Sequence, residues 1–584
     1  MGVQVPTLSR RELLLSALGA AAAARCGRGS DSGETSAAAP SAATAGVTLT
    51  CALKDVVLNG TRTRLRAYND QIPGPVIECV PGQRLRVTVK NALPPYDSSG
   101  WSGDHNVPHA LHTTNLHLHG MDVVPHLFDP VGTADPLAKM IGIAPGESRE
   151  YVFDLPPDHP PGLNWYHPHH HGSTAVQAAS GMAGAIIVRG AIDQVPEIAA
   201  ARETLLVLSD CGLFPSEDEP DLWTYLPKQN AIWQTYSAGD VTIYDPSTGK
   251  SNATSLKGGF TTGDYRLRYY LVNGHPYFME THTPAVVPQQ PVPAATQLEV
   301  PRFQMAPGEV MRFRVLNANT DNLVPLVVEG HDLHLLALDG VNFPSVRTIS
   351  SVPVTKDPAN VGQVLLAPAN RAEFLIKAVA TPGIYPIVQL QQTQQFLFSA
   401  QKTIAEIEVV GAARDMAIPG QLPPPAREYP LIKPEEVKRI RQVVFGGIVP
   451  GVLNPTVGLD FLLNNTAYQE TAVPTVVSVG DVEEWHLIVG DAHHGGTEGH
   501  PFHIHVNSFE VISLTDPKTN LPVPVQTGTI KDTLWIPVNT TAVVRMRFKH
   551  WSGKSVFHCH ILPHEDTGMM QNFLILPDSN QQSH

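Results

Sequence analysis

The stretch PGQRLRVTVKN at residues 81–91 alternates apolar and polar residues directly after a Pro-Gly turn signal. The stretch PGEVMRFRVLN at residues 307–317 repeats this pattern, and VGDVEEWHLIV at residues 479–489 is a looser third copy. Alternation with a period of two after a turn indicates a half-buried β-strand. Three copies along one chain predict three similar β-rich units in tandem.

A second recurring element supports the same division. PGLNWYH at residues 161–167, PGIY at 382–385 and SGKSVFH at 552–558 each lead from a turn into an aromatic, strand-forming segment. Each copy is typical of a late strand in a β-sandwich. The sequence therefore predicts an all-β fold of three Greek-key β-sandwich domains in tandem.

Length and composition agree with several β-domains. The chain has 584 residues, 52 prolines and 46 glycines, and only 16% of its residues are charged, which favours short strands and turns over long helices. The net charge of −14 disfavours nucleic acid and anionic membranes as partners. We expect an export signal and flexible linker over 1–46, followed by domains over 47–195, 196–415 and 416–584.

The N-terminal residues have the features of an export signal. Arg10 and Arg11 precede an apolar run that ends near Ala24 and is too short to span a membrane. The paired arginines resemble a twin-arginine signal, and this predicts an exported, periplasmic protein. Lipid attachment at Cys26 is disfavoured because Arg25 precedes it, where a small residue is usual. No later apolar stretch is long enough for a transmembrane span.

The cysteines beyond the signal fall into two groups. Cys51, Cys79 and Cys211 are compatible with one disulfide in an exported protein, but the sequence does not select the pair. Cys559 belongs to a histidine-rich motif and has a different role.

Residues 213–278 interrupt the repeating pattern with an unusual density of aromatic residues. Two explanations stay open at this point. The first is an insertion in the second domain with a small core of its own, and the second is a surface that binds aromatic substrates.

Four short motifs concentrate histidine: HLHG at 117–120, WYHPH at 165–169, HPFHIH at 500–505 and HCHILPHEDTGM at 558–569. In a strand, residues i and i+2 project from the same face, so each His-x-His pair directs two imidazoles to one place. Four such pairs supply eight imidazoles, which suits a cluster of metal ions better than a single ion.

The motif at 558–569 contains ligands for a second kind of site. In the sequence His558-Cys559-His560 the cysteine points away from the two histidines, so it serves a different metal. Cys559, His564, Met569 and the upstream His500 together form the two-histidine, thiolate and thioether set of a blue-copper electron-transfer site.

The remaining histidines have no such pattern. His170 and His171 follow the second motif directly, and we expect them around the ligands or in solvent. His493 and His494 precede the third motif in a Gly-rich loop, which suggests a position near the substrate entrance.

The four motifs together resemble those of the multicopper oxidase family, which includes laccases and bacterial copper-tolerance oxidases. The resemblance covers about residues 50–577 and is most specific in the first and third domains. It implies three cupredoxin-like domains, a trinuclear copper cluster between the first and third domains, and a mononuclear copper in the third.

The resemblance also assigns the ligands of four copper ions, one type 1, one type 2 and two type 3. The type 2 ligands are His117 and His503. The type 1 ligands are His500, Cys559 and His564, with Met569 axial. The type 3 ligands are His119, His167, His169, His505, His558 and His560. No ligand position is substituted, whereas relatives that lost ligands serve as non-enzymatic proteins.

The implied reaction is oxidation of a small reducing substrate, one electron at a time, coupled to four-electron reduction of dioxygen to water. His500 or His564 is the expected point of electron entry. Oxygen reduction needs protons, and buried carboxylates are suitable donors. Glu565 matches the position of a proton-relay acid in family members, and Asp129, ten residues after His119, is a looser candidate.

Several activities compete at this point. The first is a laccase-like oxidase of phenols and aromatic amines, and the second is a periplasmic cuprous oxidase for copper tolerance. The chain has 11 methionines and no Met-rich segment beyond Met569-Met570. This disfavours the cuprous oxidase, because thioethers bind Cu(I) and such a segment would be expected. A copper-binding protein without turnover is disfavoured by the intact ligand set. A two-domain nitrite reductase is disfavoured by chain length.

Overall fold

A computed structural model of the chain describes residues 45–99, 101, 103, 105–106, 108–216, 219–225, 241–245, 250–254, 267–281, 294–351, 364–394, 397–424, 432–446, 461–490, 499–515 and 528–578. The expected export signal, Cys26, His493 and His494 lie outside these residues. Among the described residues, no helix has the length and hydropathy needed to cross a bilayer.

Two packed sheets form the first sandwich. Its core contains the apolar residues of the first repeat, Leu85, Val87 and Val89. The strands are β1 (Ala45–Leu58), β2 (Thr61–Tyr68), β3 (Ile77–Cys79), β4 (Arg84–Asn91), β5 (His117–His119), β6 (Ser148–Asp154), β7 (Gly162–His167) and β8 (Gly184–Val188). β1, β2, β4 and β6 lie in one sheet, and β3, β8, β7 and β5 form the other in that order.

The middle sandwich follows the same plan. Its strands are β9 (Arg202–Pro215), β10 (Leu222–Thr224), β11 (Val241–Asp245), β12 (Lys250–Thr254), β13 (Leu267–Val272), β14 (His275–Thr281), β15 (Ala294–Gln297), β16 (Arg302–Met305), β17 (Val310–Asn317), β18 (Val324–Val328), β19 (Leu333–Leu338), β20 (Val341–Ile349), β21 (Val364–Leu366), β22 (Arg371–Lys377), β23 (Gly383–Gln389), β24 (Gln392–Gln394), β25 (Leu397–Ser399) and β26 (Lys402–Val409). β10 pairs with both β2 and β9, and so joins the first and middle sandwiches into one sheet.

The third sandwich contains the remaining strands, which are β27 (Arg439–Gly446), β28 (Leu462–Leu463), β29 (Thr475–Ser478), β30 (Val482–Val489), β31 (His500–Ile504), β32 (Phe509–Leu514), β33 (Ile530–Lys531), β34 (Thr533–Ile536), β35 (Thr541–Arg547), β36 (Gly553–Cys559) and β37 (Met570–Leu576). The described residues also contain three short α-helices, α1 (Thr174–Ala179), α2 (Pro196–Ala200) and α3 (Leu562–Asp566). Two 3₁₀ turns cover Ala191–Gln194 and Pro434–Glu436.

The internal repeat predicted from the sequence is present in the strand pairing. β4, β17 and β30 each run parallel to the first strand of their sandwich and antiparallel to a later one. β7, β23 and β36 each lie between two antiparallel neighbours in the opposite sheet. The prediction of an all-β, cupredoxin-like fold is therefore confirmed.

Three details differ from the expectations. β1 begins at Ala45, inside the stretch assigned to the linker. β17 is buried on both faces, not one, because Arg312 and Arg314 form ion pairs with Glu373 in the interior. The cysteines Cys51, Cys79, Cys211 and Cys559 are all buried as free thiols, so the structure forms no disulfide among them.

The interpretation of the aromatic-rich segment as a substrate surface is wrong for the part of it that the structure describes at residues 267–281. β13 pairs with β9 and β14 pairs with β13, so residues 267–281 belong to the main sheet of the middle sandwich. Tyr269, Tyr270 and Tyr277 are at most 2% exposed because they pack in the hydrophobic cores next to this sheet. These tyrosines are therefore core residues and do not form a substrate surface.

A buried lysine ties the first sandwich to the third. Lys554, on β36, is 1% exposed, and its Nζ donates hydrogen bonds to the carbonyl oxygens of Pro136 (2.9 Å), Ala138 (2.7 Å) and Glu470 (2.7 Å). The ammonium also lies 4.2 Å from the centre of the Phe128 ring, within cation–π range. This contact holds the start of β36 against a loop of the first sandwich.

We expect Lys554→Met to lower the free energy of unfolding by about 2 kcal/mol or more, because the buried carbonyl of Ala138 and the partly buried carbonyls of Pro136 and Glu470 lose their donor. Lys438→Met makes the same chemical change at a side chain that is 63% exposed and pairs with Asp481, where the loss is at most about 1 kcal/mol. Scanning calorimetry of both variants measures the difference. Equal losses for the two would contradict the assigned role of Lys554.

Candidate metal centres

Eight imidazoles from two sandwiches meet at the interface between the first and third. On one side, His117 on β5 is the direct cross-strand partner of His167 on β7. On the other, His503 on β31 is the direct partner of His558 on β36. The full cluster is at most 2% exposed and consists of His117, His119, His167, His169, His503, His505, His558 and His560.

The rings are close enough to share metal ions. The Nε2 atoms of His169 and His505 each lie 3.1 Å from Nε2 of His558. The rings of His117 and His505 stack at 3.8 Å between centres, as do those of His119 and His503. Several three-residue groups in the cluster bring one ligand atom each within 4.8 Å of one another.

The chemistry of the cluster fits metal ions. Burial, with repulsion from neighbouring rings, holds the pKa of His117, His167, His169, His505 and His560 well below the usual range. Neutral imidazoles offer lone pairs, which are what a metal requires. The Nε2 atoms of His117, His167 and His503 are buried without a hydrogen-bond partner, an arrangement that is costly unless another group satisfies them.

The outward-facing ring nitrogens are held by the protein. Nδ1 of His167, His503 and His558 lies within 2.9 Å of the carbonyl oxygen of Pro168, Asp532 and Cys559, respectively. Donation of Nδ1–H to these oxygens leaves Nε2 as the free lone pair. His119 has the reverse arrangement. Its Nε2 lies 3.1 Å from Oδ1 of Asp532, and its Nδ1 has no partner.

Two residues that sequence reasoning missed support this cluster. His126 stacks on His117, and its Nε2 lies 3.3 Å from Nδ1 of His117. Asp532 contacts His119 and pairs with Arg371 of the middle sandwich. Burial alone raises the pKa of Asp532, but the Arg371 guanidinium and the His119 ring outweigh it and hold that pKa well below the usual range. Asp532 precedes β34 without any histidine nearby in sequence, so only the fold reveals it.

A second group of candidate ligands lies on the opposite face of β36. Cys559 is fully buried in the core of the third sandwich, and its Sγ is 3.5 Å from Nδ1 of His500 and 3.8 Å from Nδ1 of His564. Met569 lies in the same core, and its carbonyl oxygen accepts a hydrogen bond from the Cys559 backbone N–H. Phe445 stacks against His500 and Phe461 against His564, which restricts both rings.

The short helix α3 places two carboxyl groups beside the histidine cluster. Glu565 is fully buried, and its Oε1 lies 3.9 Å from Nδ1 of His169 and 3.7 Å from Nδ1 of His171. Burial raises the pKa of Glu565 to about 8, against a smaller opposing effect of Thr174. Asp566 accepts hydrogen bonds from the backbone N–H groups of Gly172 and Ala175, so it anchors the start of α1.

The remaining candidates from the sequence are Asp129, His170 and His171. Asp129 is a half-exposed side chain that forms an ion pair with Arg149 at 2.7 Å, so the structure does not bring it to the cluster. His170 Nδ1 lies 3.1 Å from the carbonyl oxygen of Ile141. His171 contacts Glu565 and the ring of Tyr468, in agreement with its expected place around the ligands.

The sequence of this chain is similar to known copper oxidases. Three family models described as multicopper oxidase match residues 51–192, 243–410 and 446–579. A laccase from Bacillus subtilis (strain 168) is 26% identical over 534 residues, which cover 87% of this chain and 90% of the laccase.

Solved structures show the same fold. A multicopper oxidase from Campylobacter jejuni, described as a metallo-oxidase, superposes with a TM-score of 0.62 at 22% identity, over 91% of this chain and 92% of that one. A laccase-like multicopper oxidase from Ochrobactrum sp. gives 0.61 at 18% identity, over 92% of this chain and all of that one. With three family matches spread along its length, this chain belongs to the multicopper oxidase family, copper oxidoreductases that oxidise a reducing substrate and reduce dioxygen.

Proposed function

We propose that this chain is a laccase-like oxidase that takes electrons from phenols and aromatic amines, with one type 1, one type 2 and two type 3 copper ions. The observation that carries the proposal is the placement of Cys559 and the preceding His558 on opposite faces of β36. Cys559 faces His500 and His564, while His558 faces the histidine cluster. One strand thus connects an electron-accepting site with an oxygen-reducing site.

The proposed ligands follow the resemblance residue by residue. His117 and His503 would hold the type 2 ion, and His500, Cys559, His564 and Met569 would hold the type 1 ion. The type 3 pair is held by His119, His167, His169, His505, His558 and His560. Bound copper supplies one-electron exchange at the thiolate side and dioxygen reduction at the imidazole side.

The structure favours His564 over His500 as the point of electron entry. His564 is 7% exposed and His500 is 2% exposed, so His564 is the more accessible of the two residues. A planar aromatic substrate has a suitable neighbour there, because Phe461 already stacks on the His564 ring at 3.8 Å between centres.

Glu565 is the proposed proton donor on the oxygen side. Its location supports this role, since both carboxyl oxygens are buried and Oε1 faces His169. Asp129 has no comparable position and is left out of the proposed site.

The similarity to laccases supports phenols as the substrates that we propose for this chain, and the similarity to a structure described as a metallo-oxidase keeps cuprous ion as a second candidate. Among the described residues, Met569 and Met570 are fully buried, and so neither offers a thioether for Cu(I) at the surface. This supports phenols as the main substrates. We further propose domain limits near residues 195 and 415, and export to the periplasm by the N-terminal signal.

Oxygen uptake by the copper-loaded chain tests the function. We expect phenols and aromatic amines to sustain uptake at least tenfold faster than Cu(I). Cys559→Ser serves as the control and should lose both uptake and the strong visible absorption of a copper thiolate. A faster rate with Cu(I) would favour the cuprous oxidase, and a blue, active Cys559→Ser protein would contradict the type 1 assignment.

Glu565→Gln should slow steady-state oxygen turnover roughly tenfold or more, because a general acid contributes on that scale or above. The amide has the same shape and no charge, so we expect the fold and substrate reduction of the type 1 site to persist. Stopped-flow bleaching of the visible band and oxygen uptake measure the two steps separately. Glu483→Gln is a matched control, since Glu483 is also buried in the third sandwich but pairs with Arg441. Impaired bleaching in Glu565→Gln would disprove the proton role.

A further inference from the structure

The middle sandwich supplies none of the twelve proposed copper ligands, yet one of its side chains reaches the cluster. Arg371 is the first residue of β22 and is fully buried. Its NH1 lies 2.9 Å from Oδ1 of Asp532 and its NH2 lies 2.6 Å from Oδ2, a two-point contact of guanidinium with carboxylate. Such forked contacts fix both position and orientation of the carboxylate.

Asp532 in turn contacts and orients two imidazoles, those of His119 and His503. Its Oδ1 lies 3.1 Å from Nε2 of His119, and its backbone carbonyl oxygen lies 2.8 Å from Nδ1 of His503. These two rings stack on each other at 3.8 Å between centres, one from the first sandwich and one from the third. A single residue held by Arg371 therefore sets the rings on both sides of the interface.

All five N–H donors of the guanidinium are used. Besides the two bonds to Asp532, Nε donates to the carbonyl oxygen of Leu163, NH1 to that of Ala369 and NH2 to Oδ1 of Asn164. The acceptors come from all three sandwiches, so Arg371 has a single orientation that satisfies them. A lysine at this position has three donors and no planar fork, and it cannot reproduce the pattern.

The glycine of the first histidine motif fits the same arrangement. Gly120 has φ +82°, and a Cβ there would lie 2.8 Å from Oδ2 of Asp532 and closer still to the side chains of Arg371 and Asn164. The backbone that follows His119 thus lies directly against the guanidinium and its acceptors, which leave no room for a side chain. This close approach accounts for the glycine in HLHG.

We propose that Arg371 is a positioning residue for the copper cluster, which acts through Asp532 to fix the ring orientation and the free nitrogen of His119 and His503. The inference rests on the proposed function, in which these rings bind type 3 and type 2 copper. It assigns to the middle sandwich a part in the oxygen-reducing site, although that sandwich holds no ligand.

The test compares Arg371→Lys with Arg314→Lys on the copper-loaded chain. Arg314 is a matched control because it is equally buried in the middle sandwich and is paired with Glu373 and Asp193. For Arg371→Lys we expect a changed type 2 hyperfine splitting in electron paramagnetic resonance, or loss of at least half of the type 2 copper. The type 1 visible band should stay unchanged. Arg314→Lys should leave both signals as in the parent protein, whatever it does to the unfolding temperature.

An Arg371→Lys protein with the parent type 2 spectrum and copper content would overturn the inference, as would an equal change in Arg314→Lys. If Arg371→Lys does not fold, Asp532→Asn removes the same contact with little change of shape, and the same spectra decide. A parent protein that shows no type 2 signal would overturn the proposed function itself, so the two failures are distinguishable.

Discussion

The alternation of side chains along β36 is the constraint on which the proposed chemistry depends. An extended strand must turn Cys559 away from His558, because successive residues project from opposite faces. His560, directly after the strand, lies beside His558 in the cluster. The core of the third sandwich receives the thiol, and the interface with the first sandwich receives the imidazoles. Two sites with different chemistry are therefore held one residue apart, and no separate element is needed to connect them.

The cluster forms where the first and third sandwiches meet. β5, β7 and the residues directly after β7 bring four imidazoles, and β31, β36 and the residues directly after each of them bring four more. The middle sandwich contributes Arg371, which pairs with Asp532. Lys554 and its three carbonyl acceptors hold the same interface from the side of β36. Rigid contacts of this kind suit a site whose ligands come from distant parts of the chain, because a small displacement between sandwiches would separate the rings.

Local patterns made much of this predictable from the sequence. The period-two stretches at 81–91, 307–317 and 479–489 contain β4, β17 and β30, and the four histidine motifs converge on the two candidate centres. Features that depend on packing were not visible. Asp532 and Arg371 lie far apart in sequence, and neither belongs to a histidine motif, so no local pattern connects them. Asp129 forms an ion pair with Arg149 at the surface. The tyrosines of β13 and β14 are buried by residues from other strands.

Anomalous diffraction at the copper edge from crystals of the copper-loaded chain shows directly whether the two faces of β36 serve two copper sites. We expect one copper bounded by Cys559, His500 and His564, and three coppers among the eight imidazoles on the other side of β36. A copper bound jointly by Cys559 and either His558 or His560, or no copper at Cys559, would contradict the assignment of the two faces to two sites.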